Sequence, residues 1–154
     1  MTFYLAAFLL GVIAGLRAMT APAAVCWAAA LGYLKLSGTH LAFLGGAIAP
    51  WAFTALAALE LISDQLPQTP SRKAPVPFTG RILMGGLCGA AVGLSAGALI
   101  PCLALGAIGA VVGTLGGYEF RARLAAAFKR DTPAALIEDA IAIGGAALIV
   151  WKLL

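Results

Sequence analysis

Charged side chains in this sequence stand at the ends of long apolar runs. The chain of 154 residues holds only ten Lys and Arg and six Asp and Glu, whereas 62% of its residues are hydrophobic. Runs such as 41–62 and 82–100 approach the ~20 residues that a helix needs to cross a bilayer. No run alternates apolar and polar residues as the strands of a membrane barrel do. The sequence therefore predicts an all-α, polytopic membrane helical bundle.

Six apolar segments divide the chain, at 3–16, 21–34, 41–62, 80–100, 102–120 and 133–153. The four prolines of the polar connection 63–79 predict an extended, water-exposed loop. We expect one integral membrane domain, 1–154, in which this loop joins a three-segment unit at 1–62 to a second at 80–154. Three crossings per unit would invert the second unit relative to the first, as in many transporters.

The distribution of Lys and Arg predicts the orientation of the chain. If the 63–79 loop is cytoplasmic, only Lys35 and Lys152 of the span-flanking basic residues lie outside. The positive-inside rule then places both termini outside. The net charge of +4 therefore reflects topology, and we expect the lipid bilayer, not nucleic acid, as the partner. A group of basic residues after the fifth segment is predicted to face anionic lipid, namely Arg121, Arg123, Lys129 and Arg130.

The first two segments are too short to cross the membrane, since 14 residues of helix reach only ~21 Å. Thr20 is a suitable N-cap and Pro22 suits a first turn, so a new helix is predicted to start there. We expect a short or re-entrant hairpin with Arg17 at its tip. The free N–H groups of the second helix, beside Arg17, would favour an anion.

Acidic residues from later segments are predicted to lie at the depth of Arg17. Glu60 and Asp64 are four residues apart and share a helix face, whereas the side chains of Glu138 and Asp139 diverge by about 100°, so that at most one points at a given site. The alternative is an interfacial position among lipid headgroups. The candidate substrate-binding residues are Arg17, Thr20, Glu60, Asp64, Arg81, Glu119, Glu138 and Asp139.

Glycines recur every fourth residue in the fourth and fifth segments, which gives each helix a smooth face. These helix-packing candidates are Gly85, Gly89, Gly93, Gly97, Gly109, Gly113 and Gly117. Such faces predict close packing within the bundle or between protomers, and we expect a homo-oligomer; a glycine-lined path is the alternative.

No pattern in the sequence indicates catalysis, a metal site or a cofactor. The three cysteines are isolated in apolar runs and are interpreted as packing residues: Cys26, Cys88 and Cys102. His40 stands alone in a short loop. No nucleophile elbow, P-loop or zinc-protease motif occurs.

Five strings stand out along the chain: G-L-R-A-x-T-x-P at 15–22, E-x-x-x-D-x-L-P-x-T-P-S-R at 60–72, G-R-I at 80–82, G-A-x-G-A-x-x-G-T at 106–114 and E-D-x-x-A at 138–142. Together they resemble a family of small bacterial integral membrane proteins catalogued as domain of unknown function 4126. The resemblance implies a helical fold in the bacterial inner membrane and no established activity. Gln65 stands where the family has a lysine.

These features favour a transporter or channel for a small anion or an anionic lipid headgroup, with an intramembrane Arg/Glu site. A non-transporting scaffold or assembly partner is the alternative. A lipid-modifying enzyme that uses Glu60 or Asp64 is a third hypothesis.

Overall fold

The computed structural model describes residues 1–64 and 74–154, and this part of the chain contains helices and no strand. The prediction of an all-α bundle is confirmed. The six α-helices are α1 (Thr2–Leu16), α2 (Thr20–Ala30), α3 (Ala49–Ser63), α4 (Pro75–Ala96), α5 (Leu99–Phe128) and α6 (Asp131–Leu153). A short 3₁₀ helix, Ala42–Gly45, lies between α2 and α3.

Two of the six segments differ in extent from the prediction. The run 41–62 was expected to be one helix, but the 3₁₀ turn and Gly46 interrupt it, and α3 begins only at Ala49 with Pro50 in its first turn. The segment 102–120 continues as α5 to Phe128. Because α5 has 30 residues, it extends ~45 Å, and its charged end projects beyond a hydrocarbon layer of ~30 Å.

The prediction of an extended loop over 63–79 is wrong at its C-terminal end, because α4 already begins at Pro75. Pro75 and Pro77 fall in the first turn of α4, where the missing N–H of proline costs no helical hydrogen bond. The Thr79 hydroxyl donates to the Pro75 carbonyl at 2.8 Å within this turn. Residues 65–73 of the predicted loop lie outside the described residues.

Three helices, α4, α5 and α6, are long and apolar enough to cross a membrane, while α1, α2 and α3 are apolar but shorter. Large hydrophobic side chains are exposed along these helices, including Ile100 at 79% and Trp151 at 67%. Exposed apolar surface on long apolar helices is typical of a protein whose solvent is lipid. These are the features of a membrane protein.

Glycines bring α1, α4 and α5 together at backbone distance. A Cβ atom at Gly85, Gly89 or Gly106 would come closer than 3.0 Å to atoms of the facing helix in the α4–α5 pair. Gly109 and Gly113 of α5 meet the backbone of α1 in the same way. The predicted glycine faces are therefore used within the chain, and a homo-oligomer, which stays a prediction, would need another surface.

One predicted packing glycine has other surroundings. Gly97 has a φ of 70° and ends α4 in a left-handed conformation, with open space where a Cβ would lie. Gly93 packs on α5 as predicted, since a Cβ there would come within 3.0 Å of Leu99 and Cys102. Gly117 is buried in α5.

The chain reverses direction at each connection. The α1 contacts with α5 advance in the same direction along both helices, from Phe8 beside Gly109 to Gly15 beside Thr114, so these two helices are parallel. Helices α4 and α6 run opposite to them. Along α4 the contacts go from Gly85 beside Gly106 to Gly93 beside Leu99, and along α6 from Asp139 beside Arg17 to Gly145 beside Ile13. The first and last residues of the chain therefore lie at the same end of the bundle.

Candidate functional site

Arg17 lies in the break between α1 and α2 and is completely buried. Its backbone is extended, with φ of −139° and ψ of 111°, which ends α1 and turns the chain toward α2. The guanidinium forms ion pairs with Asp64 at the end of α3 and with Asp139 in α6. A buried charge without partners would be strongly unfavourable, so these acids are what allow an arginine here.

The side chain of Glu60, on α3, lies at the N-terminus of α2. Its two carboxylate oxygens accept hydrogen bonds from the backbone N–H groups of Ala18 and Met19, each at 2.8 Å. A carboxylate is well suited to this position, because the positive end of the helix dipole and the free N–H groups point at it. The anion site predicted at this helix start is thus filled by a side chain of the protein.

Arg81 of α4 closes the end of α1. Its Nη1 donates to the carbonyls of Gly15 at 2.5 Å and Leu16 at 2.9 Å, and its Nη2 lies 4.0 Å from Glu60. The Thr114 hydroxyl on α5 lies 3.2 Å from the same Gly15 carbonyl. The last carbonyls of α1 therefore find partners in the interior, which a helix end away from water requires.

Arg121 also belongs to this group, although the sequence indicated a residue facing lipid. Its guanidinium bonds to Asp131 at 2.5 and 2.9 Å and lies 3.6 Å from Asp64 and 3.7 Å from Glu138. The prediction failed because α5 was expected to end at residue 120. One signal was present: Arg121 follows Thr114 by seven residues, and so continues the buried face of α5.

Both acids of the Glu138–Asp139 pair are buried and face arginines. The expectation that at most one could point at the site is wrong, because Arg17 and Arg121 approach α6 from different directions. We call the group formed by Arg17, Glu60, Asp64, Arg81, Arg121, Asp131, Glu138 and Asp139 the charged cluster. Of the candidates from the sequence, Glu119 lies apart from it.

Glu119 instead bonds to Arg123 one turn away at 2.9 Å, with both side chains more than half exposed. Such an exposed pair on one helix contributes little to stability. The pair nevertheless offers a matched control for the cluster, because it contains the same residue types outside it.

Four buried polar atoms near the α1–α2 break have no hydrogen-bond partner within residues 1–64 and 74–154. They are Nε and Nη2 of Arg17, Oγ1 of Thr20 and Oδ1 of Asp139. Nη2 of Arg17 touches Oδ1 of Asp139, so that pair has ionic contact without hydrogen-bond geometry. Buried polar atoms are nearly always paired with protein or water, so Nε of Arg17 and Oγ1 of Thr20 are the atoms to which a polar partner would bind most favourably.

The charged cluster contains three arginines and five carboxylates. If all were ionised, its net charge would be −2, since 3 − 5 = −2. A free dianion is therefore poorly matched to the cluster, whereas a ligand that also carries a proton fits better. In residues 1–64 and 74–154, no group of three or more His, Cys, Asp or Glu side chains is arranged to hold a metal ion.

Comparisons with models of protein families, with curated proteins and with solved structures each return no match. The resemblance to the domain of unknown function 4126 family stays an expectation from the motifs. The function must be argued from the cluster itself.

Proposed function

We propose that the protein is a small membrane transporter or channel, and that its site is the region of the charged cluster around Arg17 and Thr20. The cargo is a small oxyanion or the anionic headgroup of a lipid, taken up with a proton. One observation carries the proposal: a fully buried arginine lies at a break between two helices, beside polar atoms that no group of the described residues satisfies.

A break between helices supports a transport role because it presents backbone and side-chain polar groups away from the bundle surface. The enclosed position of Arg17 corresponds to an occluded state, in which neither side of the membrane has access. The surplus of acids over arginines supports proton uptake, because a proton on a carboxylate would offset the charge of an entering anion.

We place the chain in the bacterial inner membrane with both termini outside. This orientation is supported by the basic residues near the 63–79 loop and by the position of both chain ends at one end of the bundle. We also propose an inverted three-plus-three arrangement, which the alternating directions of the helices support. The two units differ in packing, however, since α4 and α5 contact each other along their lengths whereas α1 and α2 diverge after Arg17.

The test is flux in proteoliposomes, with radiolabelled phosphate and a fluorescent short-chain phosphatidic acid as separate cargoes. We expect Arg17→Ala and Glu60→Gln to abolish flux of the transported species, while Glu119→Gln, the exposed control, retains it. Circular dichroism and gel filtration identify variants that still fold. Unchanged flux in both folded cluster variants would reject the proposal.

A second candidate, a non-transporting scaffold, is favoured by one specific observation. Arg17 already has two carboxylate partners, and Glu60 already caps α2. In that case the same substitutions would lower thermal stability, and the wild-type protein would give no flux of either cargo above that of empty liposomes.

A further inference from the structure

A laterally open groove lies between α3 and α6, with α2 as its floor. Both α3 and α6, which are described throughout, pack on α2 but scarcely touch each other. The space between them has a volume of about 550 Å³ and is lined almost entirely by apolar side chains. That volume is in the range of small-molecule sites, ~300–1,000 Å³. In a bilayer the opening would face acyl chains.

The inner end of the groove adjoins the charged cluster on all three of its helices. Thr20 lines the groove three residues after Arg17 on the floor helix. Leu61 lines it next to Glu60 on α3. On α6, Ile143 lines it one turn after Asp139, so apolar groove and charged cluster are continuous.

The other end of the groove is aromatic. Tyr33 and Trp151 line it there, and the ammonium of Lys152 lies 4.2 Å from the Trp151 ring centroid. Tyr and Trp concentrate where a membrane protein meets the headgroup layer. Between Thr20 and Leu31 the floor helix rises ~16 Å, about half of a hydrocarbon layer of ~30 Å. The groove thus has the length of one leaflet.

The unpaired atoms at the inner end specify the headgroup. Nη2 of Arg17 and Oδ1 of Asp139 face each other in their ion pair, so Nε of Arg17 and Oγ1 of Thr20 are the atoms that still need a partner among the described residues. An oxygen of an anionic headgroup accepts hydrogen bonds from both. A headgroup that keeps one proton brings less negative charge to a cluster in which acids outnumber arginines.

We propose that the groove between α3 and α6 binds one acyl chain of a membrane lipid whose singly protonated acidic headgroup lies at the inner end of the groove, beside Thr20 and Arg17. This inference rests on the proposed function in that it assigns the cargo to the lipid class. The lipid enters sideways from the bilayer between α3 and α6, and its headgroup replaces the missing hydrogen bonds of the cluster.

Lipid binding can be read from tryptophan fluorescence, because Trp27 lines the groove. The full chain with Trp51→Phe and Trp151→Phe keeps this single tryptophan. It is reconstituted in phosphatidylcholine bilayers that contain increasing fractions of phosphatidic acid with brominated acyl chains, which quench tryptophan on contact. Brominated phosphatidylcholine in the same background measures quenching by bulk lipid.

We expect half-maximal quenching at a mole fraction about tenfold lower for brominated phosphatidic acid than for brominated phosphatidylcholine. Ala147→Phe and Ala58→Phe, which narrow the groove from its two walls, should remove this preference. Ala104→Phe, on an exposed position of α5 away from the groove, should keep it. Thr20→Val should weaken the preference without changing quenching by phosphatidylcholine.

Equal mole fractions for the two lipids would overturn the inference, and so would a preference that survives both groove-narrowing variants. A dimer that Ala147→Phe converts to monomer, without lipid preference, would assign the groove to a second copy and also overturn it. Flux measurements separate this inference from the proposed function. Phosphate flux that Ala147→Phe does not change would support a transporter and reject the lipid as its cargo. Selective lipid binding without flux of either cargo would support the lipid site and reject transport.

Discussion

Helices α1, α4 and α5 approach one another through glycines, whereas α3 and α6 bring carboxylates to Arg17 at the start of α2 and leave a groove open between them. In the first region backbones touch directly, as between Gly89 and Cys102. In the second, charged side chains bridge between helices, as between Arg17 and Asp139. Close backbone packing leaves no room for a ligand, so the glycine region is a scaffold. The charged cluster lies where that scaffold ends.

The difference between the two regions shows what small residues and charged residues each contribute to the fold. Small residues allow helices to associate in lipid, where the hydrophobic effect gives no driving force between them. Buried ion pairs add little net stability, because the cost of removing the charges from water offsets their attraction. The eight charged side chains of the cluster are therefore the part of the molecule that packing explains least, and the proposed transport site would account for them.

Removing Arg17 from the charged cluster should have the largest effect on stability. Arg17→Ala leaves Asp64 and Asp139 without their common cation, and we expect a loss of ~3–5 kcal/mol in the free energy of unfolding. Arg123→Ala, which breaks only an exposed pair, should cost about 0.5 kcal/mol or less. Unfolding of the purified protein in mixed micelles with increasing denaturing detergent measures both. Equal losses would remove the distinction between the two regions.

A methyl group in the glycine region should cost nearly as much. The Cβ of Gly106→Ala would collide with the backbone at Gly85, which cannot move aside, so we expect a loss of ~1–3 kcal/mol. Gly116→Ala on the same helix meets open space and should be neutral or stabilise by up to about 1 kcal/mol. The same detergent titration compares them. If Gly106→Ala were tolerated as well as Gly116→Ala, the packing described for α4 and α5 would be wrong.

Neutralising the cap of α2 should have a smaller effect. Gln at position 60 keeps one carbonyl oxygen for the N–H groups of Ala18 and Met19 but loses the charge, and we expect a loss of ~1–2 kcal/mol. Glu119→Gln is the matched exposed control and should change stability little. A loss from Glu60→Gln no greater than that of the control would show that the carboxylate does not cap the helix.

Two threonine substitutions should act in opposite directions. Thr114 is buried and its hydroxyl donates to the Ala110 carbonyl at 2.8 Å, so Thr114→Val should cost ~1 kcal/mol. The Thr20 hydroxyl is buried and has no hydrogen-bond partner in the described part of the chain, so Thr20→Val should raise stability by up to about 1 kcal/mol in lipid-free detergent. Thermal unfolding gives the sign of each change. A destabilising Thr20→Val would mean that its hydroxyl already has a protein partner.

Much of the fold follows from residues whose local physics is decisive. Apolar runs predicted the helices, and Pro22 predicted the start of α2. The prediction of Thr20 as its N-cap is wrong: Met19 is the N-cap, no Thr20 side-chain hydrogen bond caps the helix, and Glu60 accepts from the N–H groups there instead. Helix ends were harder to predict. Pro75 and Pro77 were read as loop residues although a first turn tolerates them, and the apolar run 41–62 concealed the interruption at Gly46.

The sequence predicted that charged residues would meet inside the membrane domain, but it identified only some of the residues that form the charged cluster. Arg17, Glu60, Asp64 and Asp139 were assigned to one depth because each interrupts an apolar segment. Arg121 was missed, since the sequence around it is basic and its partners come from α3 and α6, which only the tertiary fold brings near. The groove was not predicted, because it is a space between helices whose existence depends on how α2, α3 and α6 pack and not on any single residue.

The central claim is that Arg17 is buried between acids from α3 and α6, and a double substitution tests it most directly. The free energy of unfolding is measured for Arg17→Ala, Asp139→Asn and the variant with both changes. The account predicts that the double variant is more stable than Arg17→Ala alone, because Asn removes a carboxylate that would otherwise be stranded. Losses that simply add would contradict it, because they would show that the two side chains do not interact.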